Sequence, residues 1–160
     1  MNPIQEGIID DWERMIDTNI KGLLYVSRLV SPLMIERKKG HIINIGSVAG
    51  KETYANGNVY CASKSAVDVL SKAMRIDLLK HNIKVTAIHP GAVETEFSIV
   101  RFKGDTQMAS NVYKGFQPLS GKDVADTIFY TTTLPAHVNI NELLILPTAQ
   151  ANTTHTFKNI

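Results

Sequence analysis

At 160 residues, with 44% apolar and 20% charged side chains, the chain is long enough for one domain with its own core, and disorder is not the expectation. Seventeen Lys and Arg against fifteen Asp and Glu leave a formal charge of +2, and the basic residues are scattered apart from the run Arg37-Lys38-Lys39, which argues against nucleic acid or an anionic membrane as partner. No apolar stretch approaches the roughly 20 residues that span a bilayer. The start MNPIQEGIIDDW has neither the basic end nor the apolar core of a signal peptide, so a cytoplasmic location is expected.

In chain order, Asp10-Asp11-Trp12-Glu13 reads as a capping box with Asp10 as N-cap. Trp12, Met15, Ile16, Ile20, Leu23, Leu24, Val30, Leu33 and Met34 then mark a long helix over 10–39, with Pro32 expected to interrupt or bend it. His41 to Gly46 is a short β-branched run ending at glycine, a buried strand opening into a loop. Helical periodicity returns over 58–80, and a second strand over Ile83 to Ile88 is stopped by Pro90-Gly91. Residues 92–119 form a long surface excursion with room for short helices, of a length that is commonly functional. Ser120-x-x-Asp123 is a capping box for a helix to about Thr133, Asn141 to Leu146 is a third strand, and the polar tail 149–160 is expected to be loosely held. Alternating strands and helices imply an α/β fold with a mostly parallel sheet and right-handed crossovers, in a single partial domain over 1–160. Three strands make a narrow sheet.

Tyr60 and Lys64 are four apart near the start of one helix and therefore share a face. An ammonium beside a phenol favours the phenolate, drawing the tyrosine pKa down from about 10 toward that of a working base. A chance pair at this spacing is also common on exposed helices. Ser47 stands at the carboxyl end of the strand 41–46, where open parallel sheets bind ligands. The loop from Val48 to Val59, carrying Gly50 and Gly57, can bring Tyr60 back over it. A hydroxyl, a phenol and an amine could then converge on one substrate oxygen, although a lone serine there could equally cap a turn. The single cysteine, Cys61, forbids an intrachain disulfide, and the five histidines show no close metal-ligand spacing, so no metal is expected.

Through Ser47, Tyr60-Cys61-Ala62-Ser63-Lys64, Asn19-Ile20-Lys21-Gly22 and His89-Pro90-Gly91-Ala92-Val93-Glu94-Thr95, the chain resembles the short-chain dehydrogenase/reductase family. The four elements follow the family's order and approximate spacing. The resemblance implies a hydride transfer between a nicotinamide cofactor and a small alcohol or carbonyl compound. Tyr60 would exchange the proton, Ser47 would orient the substrate oxygen, Lys64 would lower the tyrosine pKa and bind the nicotinamide ribose, and Asn19 would help hold a relay water. Pro90, Gly91, Val93 and Thr95 match the segment along the nicotinamide end of the cofactor. Within the family the resemblance is to NADP-dependent 3-hydroxy acid dehydrogenases acting on serine and allo-threonine, through Thr95-Glu96-Phe97-Ser98, Val100 to Asp105, Leu134 to Asn141 and Pro147-Thr148. Arg101 is then the candidate cation for a substrate carboxylate, with a solvated loop arginine as the plain alternative. The implied cofactor is NADP, with NAD not excluded, and the implied assembly is a homo-oligomer through the helices 10–39 and 58–80.

The fold the resemblance implies is the C-terminal part of a Rossmann-like doubly wound parallel sheet, because no strand followed by closely spaced glycines occurs before residue 40. Gly46-x-x-x-Gly50 belongs to the loop carrying Ser47, and Gly50-Lys51 is followed by Glu52 where a phosphate loop needs a hydroxyl. Met1-Asn2-Pro3 resembles an internal stretch of the 3-hydroxy acid branch, so Met1 is expected to be an internal methionine. Two further readings stand beside the dehydrogenase: a fragment that keeps only an association role, and a serine hydrolase through Ser47, for which neither a nucleophile elbow nor a marked histidine–carboxylate pair is present.

Overall fold

The computed structural model describes residues 2–159; Met1, and with it the expectation of an internal start, lies outside them. Helix α1 (Ile9–Ile16) passes through a π-helical turn, Asp17–Gly22, into α2 (Leu23–Glu36). This is the long helix the periodicity predicts, but its start differs. Ile8 is the N-cap with no side-chain hydrogen bond, and Asp10 lies inside the first turn, where its charge meets the positive pole of the helix. Pro32 does not end the helix. The residues after it, Met34 and Ile35, pack against the core of Leu78, Ile83 and Val85, and that burial outweighs the lost backbone hydrogen bond.

Strand β1 (His41–Ile45) leads through a short turn, Val48–Gly50, to helix α3 (Asn58–Asp77) and then to β2 (Lys84–Pro90). The excursion is built from β3 (Val93–Glu94), α4 (Phe97–Arg101), α5 (Thr106–Tyr113) and β4 (Leu119–Ser120), with β3 and β4 paired in parallel. Helix α6 (Gly121–Thr133) opens on the expected Ser120/Asp123 capping box, and β5 (Glu142–Ile145) follows. The main sheet is parallel throughout in the order β1-β2-β5, and β2 is buried along almost its whole length because it is the central strand.

The second strand does not stop before Pro90. Pro90 pairs with Ile145, and the Gly91 amide donates to the Ile145 carbonyl at 2.7 Å. The tail is not loose either. Gln150 bridges to Thr156, the Gln150 side chain accepts from the Ala92 amide at 2.8 Å, and the Asn159 amide donates to the Gly115 carbonyl. Polar composition is compatible with either outcome; partners distant in sequence decide it.

Candidate active site

Ser47 leaves β1 in an extended conformation, and its hydroxyl oxygen accepts the Ala49 amide at 3.1 Å. It therefore caps a turn, as a serine there ordinarily would. The cap leaves the hydroxyl proton available, and the side chain is near enough to Tyr60 to draw its pKa down. Tyr60 lies in the first turn of α3 with its ring centroid 5.5 Å from that of Phe97. Burial pushes the Tyr60 pKa up, while the Ser47 hydrogen bond and the Arg101 charge pull it down. The sequence assigned the downward pull to Lys64. In the structure the Lys64 ammonium is 6.0 Å from the Tyr60 ring centroid and donates to the Ile45 carbonyl at 3.1 Å, and its own pKa is lowered by burial.

Asn19 sits in the π-helical turn, a feature that inserts into an α-helix at a local cost and often marks a site. Its amide donates to the Ser63 hydroxyl at 3.0 Å, and Ser63 in turn donates to the Tyr60 carbonyl at 2.8 Å. Asn19 is thus two hydrogen bonds from the Tyr60 backbone. Arg101, at the end of α4, lies over the rings of Tyr54 (5.8 Å) and Phe102 (5.3 Å), and its Nε is buried without a hydrogen bond. Burial pushes the Tyr54 pKa up to about 12, with Arg101 opposing.

Pro90 is buried and Gly91 follows it at the carboxyl end of β2, beside the end of β1 that carries Ser47. Gly91 packs close against the tail, where a Cβ would displace the Gln150 amide oxygen. Val93 pairs with Leu119, and its carbonyl accepts the Tyr113 hydroxyl at 2.8 Å. Thr95 is exposed, with its hydroxyl near the Phe97 amide at 3.3 Å. The structure therefore gathers Ser47, Tyr60, Lys64 and Arg101 around one place, puts Asn19 behind α3, and sets the segment 90–95 beside the strand ends.

Residues 1–105 match the family model described as short chain dehydrogenase. The chain belongs to that family. It is 50% identical over 152 residues to the NADP-dependent 3-hydroxy acid dehydrogenase of Escherichia coli K12, covering 94% of this chain and 61% of the relative. It is 47% identical over 150 residues to sulfoacetaldehyde reductase 2 of Chromohalobacter salexigens, covering 93% and 60%. The closed form of a serine dehydrogenase complexed with NADP+ matches with a TM-score of 0.94 at 47% identity, over 100% of this chain and 65% of that one. The chain thus spans about 61% of the length of the curated relative from Escherichia coli.

As a member of the short-chain dehydrogenase family the chain presents its candidate residues where the parallel sheet of this α/β fold opens at its carboxyl ends. Sequence reading missed Tyr54 and Phe97, which wall the place where Tyr60 and Arg101 meet. It missed Ser63 as the link between Asn19 and Tyr60. It also missed His89, whose spacing to Asp68 and Glu142 hides that their ligand atoms all lie within 4.8 Å of one another. Among the described residues, no helix is long and apolar enough to cross a membrane.

Proposed function

We propose that this chain carries the proton-transfer half of an NADP(H)-dependent dehydrogenase acting on a small 3-hydroxy acid such as serine or 3-hydroxypropionate. The observation that carries the reading is the convergence of Ser47 and Arg101 on Tyr60, each drawing its pKa down, with the Lys64 ammonium 6.0 Å from the Tyr60 ring centroid at the carboxyl end of β1.

The residues present suit the nicotinamide end of a dinucleotide. Lys64 spends one donor on the Ile45 carbonyl and has others to offer a ribose hydroxyl. Ile45, 43% exposed, gives an apolar surface at the same strand end. When bound, the nicotinamide accepts hydride from the carbinol carbon. Tyr60, as phenolate, takes the hydroxyl proton as the carbonyl forms; in reduction it returns that proton to the substrate oxygen. Ser47 donates toward the same oxygens, which favours the phenolate before transfer and polarises the carbonyl after it. Asn19 holds the Tyr60 turn through Ser63. Pro90, Gly91, Val93 and Thr95 line the nicotinamide side. NADP is preferred over NAD because the E. coli relative is NADP-dependent and the serine dehydrogenase is complexed with NADP+.

Arg101 supplies the substrate's charge partner. Arg101 is half-buried, and its buried Nε is costly to leave unpaired unless an anion completes it, which a carboxylate can do bidentately. Arg101→Gln is expected to raise KM for serine by about 10- to 100-fold, the worth of a hydrogen bond to a charged group. The same variant should leave KM for an uncharged secondary alcohol nearly unchanged. Equal effects on both substrates would remove Arg101 from substrate binding.

The test of the whole reading is turnover: NADPH production from serine or 3-hydroxypropionate by this chain, strongly reduced in Tyr60→Phe. The second reading, association without catalysis, is favoured by the exposed apolar side chains Tyr25, Val26 and Leu29 on α2 and Val69 and Ile76 on α3. Homo-oligomerisation through these two helices serves either reading. Leu29→Glu combined with Ile76→Glu is expected to shift the chain to monomer in sedimentation equilibrium, and an unchanged mass would exclude this face as the interface.

A further inference from the structure

Behind Ser47 lies a charged cluster, buried at His89 and Asp68 and reaching solvent through its lysines, that takes no part in the proposed reaction. His89 is fully buried near the end of β2, with its Nε2 3.6 Å from Asp68 Oδ1, beyond hydrogen-bond reach. Neither ring nitrogen of His89 has a hydrogen-bond partner, and nor does Asp68 Oδ1. The other Asp68 oxygen receives Lys51 at 2.9 Å and Lys72 at 3.0 Å. The same two lysines reach Glu142, at 2.6 Å to Oε2 and 3.4 Å to Oε1. Asp68 and Lys72 come from α3, Lys51 from the turn after Ser47, and Glu142 from β5, while β1, which packs on β2 on the other side, adds no charge there.

These atoms could surround a cation, but two ammonium groups already balance the two carboxylates, and a divalent ion would leave a net double positive charge in a buried place. A proton on His89 meets the same difficulty: burial and the Lys51 charge keep the imidazole neutral against Asp68 and Glu142. A dry, neutral, unbonded imidazole is an expensive residue to keep. What it touches suggests why it is there. A Cβ on Gly46 would collide with His89 Nδ1 and Cε1, so the ring lies directly against the backbone that leads into Ser47. The Gly46 amide donates to the Ile88 carbonyl at 2.7 Å, and the Ser47 backbone is close enough to bear on the imidazole. On the far side of the same turn a Cβ on Gly50 would collide with the Lys64 carbonyl, and Ser65 donates to the Gly50 carbonyl at 2.8 Å. The turn that carries Ser47 is gripped from β2 and from α3.

We propose that His89 is a positioning residue: its imidazole, packed beside Asp68, is the floor on which the Gly46-Ser47 step rests, and it thereby sets how Ser47 meets Tyr60. The proposal rests on the assignment of Tyr60 as the proton-transfer group. It does not require that the chain turn over any substrate, because Ser47 already bears on the Tyr60 phenol in the free protein.

The experiment is the titration of Tyr60 in the ligand-free chain, followed by NMR of 13Cζ-labelled tyrosine and assigned with Tyr60→Phe. Ser47 lowers the Tyr60 pKa by donating to the phenolate, so Ser47→Ala must raise it. His89→Ala, which removes the floor, is expected to raise it by the same amount, and the double variant to add nothing further. His89→Phe keeps a flat ring in the same place and is expected to leave the titration near that of the parent chain. A folded His89→Ala with an unshifted Tyr60 overturns the proposal, as does a shift that adds in full to that of Ser47→Ala. Should His89→Ala not fold, His89→Asn, which shortens the reach of the side chain, is read in the same way. Failure of serine oxidation would count against the dehydrogenase reading alone, since the titration is measured without substrate or cofactor.

Discussion

Tyr60→Phe is expected to lower turnover with serine by about 10²- to 10⁴-fold, the usual worth of a positioned acid or base, while leaving NADP(H) affinity intact. The phenylalanine ring keeps the packing against Phe97 and removes only the oxygen that Ser47 meets. The pH dependence has a definite sign. Oxidation requires the phenolate, so the rate in the parent chain should rise with pH through the Tyr60 pKa and level off above it. Because burial raises that pKa while Ser47 and Arg101 lower it, Arg101→Gln should move the rising limb to higher pH. Single-turnover measurements at saturating NADP+ separate chemistry from binding, and a Tyr60→Phe variant with parental turnover would end the assignment of the base.

The grouping of Ser47, Tyr60 and Lys64 was legible because these residues are short-range in sequence or stand at a punctuated strand end. Ser47 follows a β-branched run that closes on Gly46, and Tyr60 and Lys64 share one helical face; such patterns survive without knowledge of tertiary contacts. What was not legible came from contacts between distant residues. Lys64 was assigned the role of lowering the Tyr60 pKa from its i,i+4 spacing, but that spacing does not say where a long flexible side chain ends, and here it ends on the Ile45 carbonyl. Asp68 with Lys72, also at i,i+4, looks like an ordinary exposed ion pair. Only the fold shows that the carboxylate is buried and facing His89. The π-helical turn carrying Asn19 leaves no local trace either, since Asp17 to Gly22 would read equally well as plain α-helix. The tail reads as loose because its order depends on Ala92 and Gly115, far back in the chain.

Asp68→Ala is expected to cost about 3 kcal/mol of stability, the lower part of the range for removing one member of a buried ion pair. Asp68 is the hinge of its cluster. Its side chain is 9% exposed, Lys51 is 25% and Lys72 is 48%, so Lys72 can rehydrate when its partner is lost whereas Lys51 cannot do so fully. The loss would fall on the part of the fold where β2, β5 and α3 meet. The Lys51 and Lys72 charges hold the Asp68 carboxyl below its ordinary pKa despite burial, so the cluster's contribution is present above the unfolded-state carboxylate pKa and is lost as pH falls through the folded value. His89 acts in the same direction by another route. Its folded pKa is lowered, so below about pH 6.5 the unfolded chain takes up a proton that the native chain refuses, and stability falls further. Urea unfolding from pH 8 down to pH 4 should therefore show stability declining with acidity in the parent chain and a shallower decline in Asp68→Ala. A parallel pair of curves would mean that Asp68 is not held ionised by its lysines, and a loss below about 1 kcal/mol, the ceiling for an exposed pair, would mean that the cluster is open to solvent.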